Sequence, residues 1–308
     1  MTKRIPLYFF ASFVMVMIGI SMSVIHLKQS SSTNHIEFSV PFSVLEQVYQ
    51  AERNSRSQTV EIKAAELLAC LAANYQGDFD KFKQQDLNYL LNQIRHGVKP
   101  ESVVSDKDSF YEFLQIYEAV LSGFTDKNND SFQVYFPLPE GFYYEDYDDF
   151  GDERTYGYTR KHLGHDIICP IGTPVVAIEK GTVEALGWNR YGGWRIGIRS
   201  FDKKRYYYYA HLQKDNPFQE GLKIGKTVCA GEVIGYTGNT GYSETENESN
   251  ISVPHLHIGL ELIFDEQERG RKNEIWIDLF ALTRLLEKNK IRVRMDPENK
   301  CFYSVNSS

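Results

Sequence analysis

Cysteine is scarce in this chain of 308 residues, and its four copies, Cys70, Cys169, Cys229 and Cys301, lie far apart with no C-x-x-C pair. That spacing excludes a disulfide-dense scaffold and a cysteine-held zinc ribbon. The even count leaves two readings open: bridges, with Cys169 and Cys229 the pair to examine, or free thiols. Basic residues are also short. Lys and Arg number 34 against 41 Asp and Glu, a net charge of -7, and no Lys/Arg run exceeds three. Phosphate-backbone affinity rests on clustered cations, so nucleic acid is not an expected partner. What the chain does hold is 42% hydrophobic and 14% aromatic residues. This is enough for real cores and excludes a disordered, collagen-like or low-complexity protein.

Long apolar runs are absent but for one. Residues 5–25, IPLYFFASFVMVMIGISMSVI, carry no charge. At about 1.5 Å per residue they match the ~30 Å hydrocarbon layer. Lys3 and Arg4 precede the run and Lys28 alone follows closely. The bias places the N-terminus in the cytoplasm and the rest outside, a single-pass protein of the cell membrane whose bilayer contact is residues 5–25. A cleaved signal peptide is the competing reading. Against it stand an apolar region of roughly 20 residues, where about 7–15 is usual, and the lack of an A-x-A site. Ser21 and Ser23 are the nearest substitute, and no cysteine follows that would carry a lipoprotein anchor.

The expected architecture is α+β in three parts: a transmembrane helix or signal anchor (1–27), an extracytoplasmic helical juxtamembrane module (28–125), and an antiparallel β domain with a C-terminal helix and a polar tail (126–308). Residues 28–39 read as a Ser-rich tether. Helical spacing then recurs at 60–75, 84–94 and 109–124; in the second, Leu87, Leu90, Leu91 and Ile94 are three or four apart and Gly97 stops the helix. Such short amphipathic helices bury their stripes against one another. A polar hinge opens near 125. Residues 140–153 hold seven acids without the spacing of a calcium loop, and read as a solvated surface loop. After 160, strand-sized apolar runs alternate with glycine turns, and helical spacing returns from Ile277 onward.

Five of the eight histidines fall between 162 and 257. His255 and His257 occupy alternate positions of an expected strand, so both imidazoles leave one face. They can share a site or be half-buried strand residues. In R-K-H-L-G-H-D-I (160–167), His162 and Asp166 are separated by three residues, with Gly164 letting the chain bend between them. Two imidazoles and one carboxylate give zinc three ligands and leave an open position for water. His211 ends KRYYYYAHL, where Tyr207, Tyr209 and His211 are expected on one face and Tyr206 and Tyr208 on the other. It either caps that strand or orients a reacting water or oxyanion.

These segments, His162-Leu-Gly-His-Asp166, Tyr209-Ala-His211-Leu212 and Pro254-His255-Leu-His257, stand among glycine signposts such as Gly172-Thr-Pro-Val175 and Gly231-x-x-Ile-Gly235. In this order, over about 130 residues, they resemble the catalytic domain of the lysostaphin-like (LytM-type) zinc metallopeptidases, which cleave peptide cross-links of bacterial peptidoglycan. The resemblance implies the family's groove-forming antiparallel domain of the duplicated hybrid motif type. It implies one Zn(2+) per chain held by His162, Asp166 and His257, with His255 as base or water-positioning group and His211 as its oxyanion-stabilising partner. The implied activity is a zinc metalloendopeptidase acting on stem or cross-bridge peptides at the outer face of the membrane. A non-enzymatic scaffold, or an activator of another hydrolase, is the alternative; members of that kind usually lack one of these five residues. Two departures stand out. His165 beside Asp166 is expected in the shell or at the surface, and competes for ligation. The acidic stretch 242–253 is longer than the family's turn and is placed at the cleft rim.

Overall fold

A computed structural model describes residues 35–36, 38–126, 129–265, 274–299 and 301–305. The expected membrane segment 5–25 and the tether up to residue 34 lie outside the described residues. Among the described residues no helix is long and apolar enough to cross a membrane.

Four helices come first: α1 (Phe42–Ser55), α2 (Ala64–Tyr75), α3 (Gln84–Arg95) and α4 (Lys107–Leu121). The spacing expected from residue 60 becomes helical only at Ala64, where the Glu52 carboxylate of α1 accepts the Ala64 N–H at 2.8 Å. That bond satisfies a donor left open at a helix start. The alanine-rich α2 packs against α1, α3 and α4, and its small side chains allow that close approach. Asp106 caps α4 by accepting from the Asp108 and Ser109 N–H groups.

A nine-stranded sheet follows. Its strands are β1 (His35–Ile36), β2 (Glu145–Asp146), β3 (His165–Ile168), β4 (Gly181–Asn189), β5 (Gly193–Ser200), β6 (Arg205–Ala210), β7 (Thr227–Val228), β8 (His255–Leu262) and β9 (Ile275–Ile277). Across the sheet they run β1-β9-β8-β6-β5-β4-β7, and β3 joins β8 to β2. All pairs are antiparallel except β1 with β9. One edge of β8 is therefore shared, by β3 along His255–Ile258 and by β9 along Leu260–Leu262. One continuous core joins helices and sheet: Val44 and Leu45 belong to the same buried cluster as Phe136, Ile178, Tyr207 and Leu282.

The C-terminal part departs from expectation twice. Helix α5 (Phe280–Leu286) opens after Ile277, which belongs to β9; the Asp278 carboxylate accepts the Phe280 N–H at 2.8 Å and marks the start. The expected polar tail is instead a hairpin pairing Arg292–Asp296 with Cys301–Val305. It is held because Ile291, Val293 and Phe302 pack with Val176, Val233 and Tyr135. All four cysteines are free, Cys229 exposed and the other three buried.

Candidate metal centre

The pleat of β8 sends His255 and His257 to the same face. Register sets Asp166 of β3 beside His257, and Ala210 of β6 on its other side. Just before β3 the chain crosses over the His257 ring. Gly164 is required there: a Cβ would lie 2.5 Å from both His257 Cε1 and the Ile258 carbonyl oxygen. The crossing delivers His162. Three atoms then converge: His162 Nε2, His257 Nδ1 and Asp166 Oδ1. The nitrogens are 2.9 Å apart, and Oδ1 lies 3.0 Å from His162 and 2.9 Å from His257.

The donor set fits a cation. The Nδ1–H of His162 donates to the Asp149 carbonyl at 2.9 Å, so Nε2 is the nitrogen turned toward the cluster. It faces a second imidazole nitrogen and a carboxylate oxygen, a set that a proton or a metal cation can hold together. Edges near 3 Å suit one face of a tetrahedron whose bonds are about 2.0–2.1 Å, as nitrogen and oxygen ligands of zinc give. Among the described residues His162, Asp166 and His257 form the one group of three or more such side chains able to hold a metal ion.

Without metal, a proton takes the place of the cation. Burial opposes protonation of His162, yet hydrogen bonds to Asp149 and Asp166 raise its pKa to about 9. Burial also opposes the charge on Asp166, but bonds with His162 and His257 hold its carboxyl well below the usual range. Burial pushes His257 down, and pushes His211 well down with help from the neighbouring His255 and His257.

His211 and His255 stand beside the trio, their ring centroids 4.7 Å apart. The His255 Nδ1–H donates to the Val253 carbonyl at 2.8 Å, and its Nε2 is 3.6 Å from Asp166 Oδ1. The His211 Nδ1–H donates to the Thr240 carbonyl at 2.9 Å. The expected face for His211 is corrected. Tyr207 and Tyr209 point into the core, while Tyr206 and Tyr208 line the cleft with His211. His211 has φ +59°, a left-handed residue that breaks strand alternation and turns its ring to the cleft face.

One further expectation is settled between its alternatives and another is revised. His165 points away from the trio and is buried, its nitrogens 2.9 Å from Asp146 and 3.3 Å from Asp149; it lies in the shell around the trio, not at the surface and not in the ligand cluster. The stretch 140–153 is not a uniformly solvated loop, because Asp146 and Asp149 are buried within it. Asp149 is a hub. Its carboxylate lies 3.1 Å from His162 Nδ1, 3.3 Å from His165 Nδ1 and 3.0 Å from Arg154, and it accepts the Asp166 N–H at 3.3 Å. Arg154 also donates to Asp166 Oδ2 at 3.1 Å, leaving Oδ1 for the cluster. Sequence reasoning missed Asp149 and Arg154.

A cleft of about 530 Å³ opens over the trio, lined by aromatic residues including Tyr191, Tyr208, Tyr242 and Trp276 and by Arg154, Arg160, Lys161 and Arg195. The acidic stretch 242–253 forms part of its surround: Tyr242 lines it, and Asn247 accepts the Trp194 indole N–H at 2.8 Å.

Residues 160–269 match Peptidase family M23. The L-Ala–D-Glu endopeptidase of Bacillus subtilis is 40% identical over 149 residues, 48% of this chain and 42% of its own length. Lysostaphin of Staphylococcus simulans is 41% identical over 98 residues, 32% of this chain and 17% of its own. The chain thus spans less than half the length of either relative. Among solved structures, the lytM protein of Ruminococcus gnavus shares the fold with a TM-score of 0.54 at 23% identity, over 85% of this chain and 92% of that one. The matched segment holds all five residues described above, and over residues 160–269 the chain is similar to Peptidase family M23, the lysostaphin-type endopeptidases among its relatives.

Proposed function

We propose that the protein is a zinc-dependent endopeptidase that hydrolyses peptide bonds of bacterial peptidoglycan, working at the outer face of the membrane to which residues 5–25 tether it. The carrying observation is the convergence of His162 Nε2, His257 Nδ1 and Asp166 Oδ1 within 3.0 Å of one another, beside two more imidazoles, on the floor of an open cleft. The activities named for the Bacillus and Staphylococcus relatives supply the substrate class, and the charge bias around residues 5–25 supplies the location.

His162, His257 and Asp166 would hold the ion, with Asp149 and Arg154 fixing the outer sides of two of them. When bound, zinc polarises the scissile carbonyl and acidifies the water it touches. This chain's own groups manage the proton. His255 has spent Nδ1–H on Val253, so its Nε2 is the free base that takes a proton from the attacking water. His211 has likewise spent Nδ1–H on Thr240, and burial keeps it neutral at rest. It becomes a donor to the oxyanion only once protonated, which its proximity to the His255 ring allows during turnover. The proton then passes to the leaving amine.

The direct test is digestion of purified cross-linked muropeptides by the full chain. Cleavage should stop on chelation and return with added zinc; cleavage indifferent to chelation would end this reading.

A further inference from the structure

Of the cleft's arginines, two are committed to protein partners. Arg154 serves Asp149 and Asp166. Arg160 donates to the Tyr156 carbonyl and lies over the rings of Tyr191 and Tyr242. Arg195 is different. It lines the same cleft, its Nε is buried, and that atom has no hydrogen-bond partner. Among the described residues its guanidinium is in no ion pair. Lys161 also lines the cleft, but it is exposed, so water can satisfy it. A buried donor left without an acceptor is costly, and proteins rarely keep one without a use.

Its position is defined by the sheet. Ile196 pairs with Tyr209, so Arg195 falls one step on, opposite Ala210, and Ala210 pairs with His257. Arg195 and His257 therefore stand two strand spacings apart, about 10 Å, with only the small Ala210 between them on the cleft floor. About three residues of extended peptide cover that distance. The acceptor that matches a planar guanidinium best is a carboxylate, which takes two parallel hydrogen bonds.

Resting on the endopeptidase reading above, we propose that Arg195 is a specificity-determining residue that anchors a free carboxylate of the substrate within about three residues of the bond cut. The preferred substrate is then an acidic peptide, and a neutral peptide of the same length is a poor one.

The test uses the zinc-loaded full chain and synthetic cross-linked stem-peptide dimers in three forms: all carboxyls free, only the C-terminal carboxyls amidated, and every carboxyl amidated. Wild-type kcat/KM should be roughly ten- to hundredfold higher on the free acid than on the full amide, the range for hydrogen bonds to charged groups. The middle form shows whether a terminal or a side-chain carboxylate is held. In R195Q the preference should collapse toward one, and in R195K part of it should survive, since lysine offers a point charge without the fork. A wild-type ratio near one overturns the proposal while leaving the endopeptidase reading intact. So does an R195Q enzyme that is slower on all forms by one common factor. Failure to cleave any form overturns both. Should R195Q fail to fold, the wild-type ratio and R195K still decide.

Discussion

At the scale of single residues, the site depends on which ring nitrogen is already occupied. Carbonyl oxygens can only accept, so Asp149, Val253 and Thr240 each fix a proton on the Nδ1 of one histidine and leave its Nε2 for chemistry. Asp149 does this for His162, a proposed metal ligand, and also steadies the Asp166 backbone. Asp149→Ala should weaken zinc binding by about 10- to 100-fold, the cost of losing an outer-shell partner, as measured by competition with a chromogenic chelator. Unchanged affinity would make the hub a packing feature only. The same carboxylates set the pH response. Without metal they hold a proton on His162 up to about pH 9, against an ordinary value of 6.5. This proton's contribution to metal-free stability is complete below 6.5 and is lost as pH rises through about 9. Zinc must displace the proton, so affinity should rise close to tenfold per pH unit between about 7 and 9 and then level off. A flat profile there would mean His162 is not a ligand. The trio was legible in the sequence because ligand spacing is local: His162 with Asp166, and His255 with His257. Asp149 was not, because its partner is 13 positions away and nothing in a run of acids tells which one turns inward.

At the scale of elements, strand period predicted β8 correctly and misplaced the end of β6. Alternation holds along a strand while the backbone stays extended, and His211 is the residue where it does not. A left-handed histidine gives no sequence signal, so its ring was expected with Tyr207 and Tyr209. The C-terminal ribbon reads as a tail for a related reason: its alternation is short and charged, and packing on Val176 and Val233 helps hold it. The helices and the sheet are tied by Arg205 at the start of β6. Buried, it pairs with Glu179 at 2.7 Å and donates to the Ala119 carbonyl and the Ser122 hydroxyl at the end of α4. Arg205→Leu strands the Glu179 carboxylate in the core and should cost about 3–5 kcal/mol in denaturant unfolding. Adding Glu179→Leu should recover most of that loss. A single variant as stable as wild type would show the clamp to be idle.

At the scale of the molecule, the described residues form one compact unit in which a helical layer and an antiparallel sheet share a core. The composition signalled the two kinds of element, whereas their common core depends on which faces meet and is not written in any single periodicity. That core holds β3, β6 and β8 in register, which sets Asp166, His255 and His257 side by side with His162 and His211 against them. The proposed function divides the labour there: three residues would grip the ion and two would handle the proton. The most direct measurement pairs metal content with muropeptide cleavage for wild type, His162→Ala and His255→Ala. Wild type should carry one zinc and cleave; His255→Ala should keep the zinc and lose cleavage by about 10²- to 10⁴-fold; His162→Ala should lose both. Full cleavage by His255→Ala, or zinc undiminished in His162→Ala, would contradict the division.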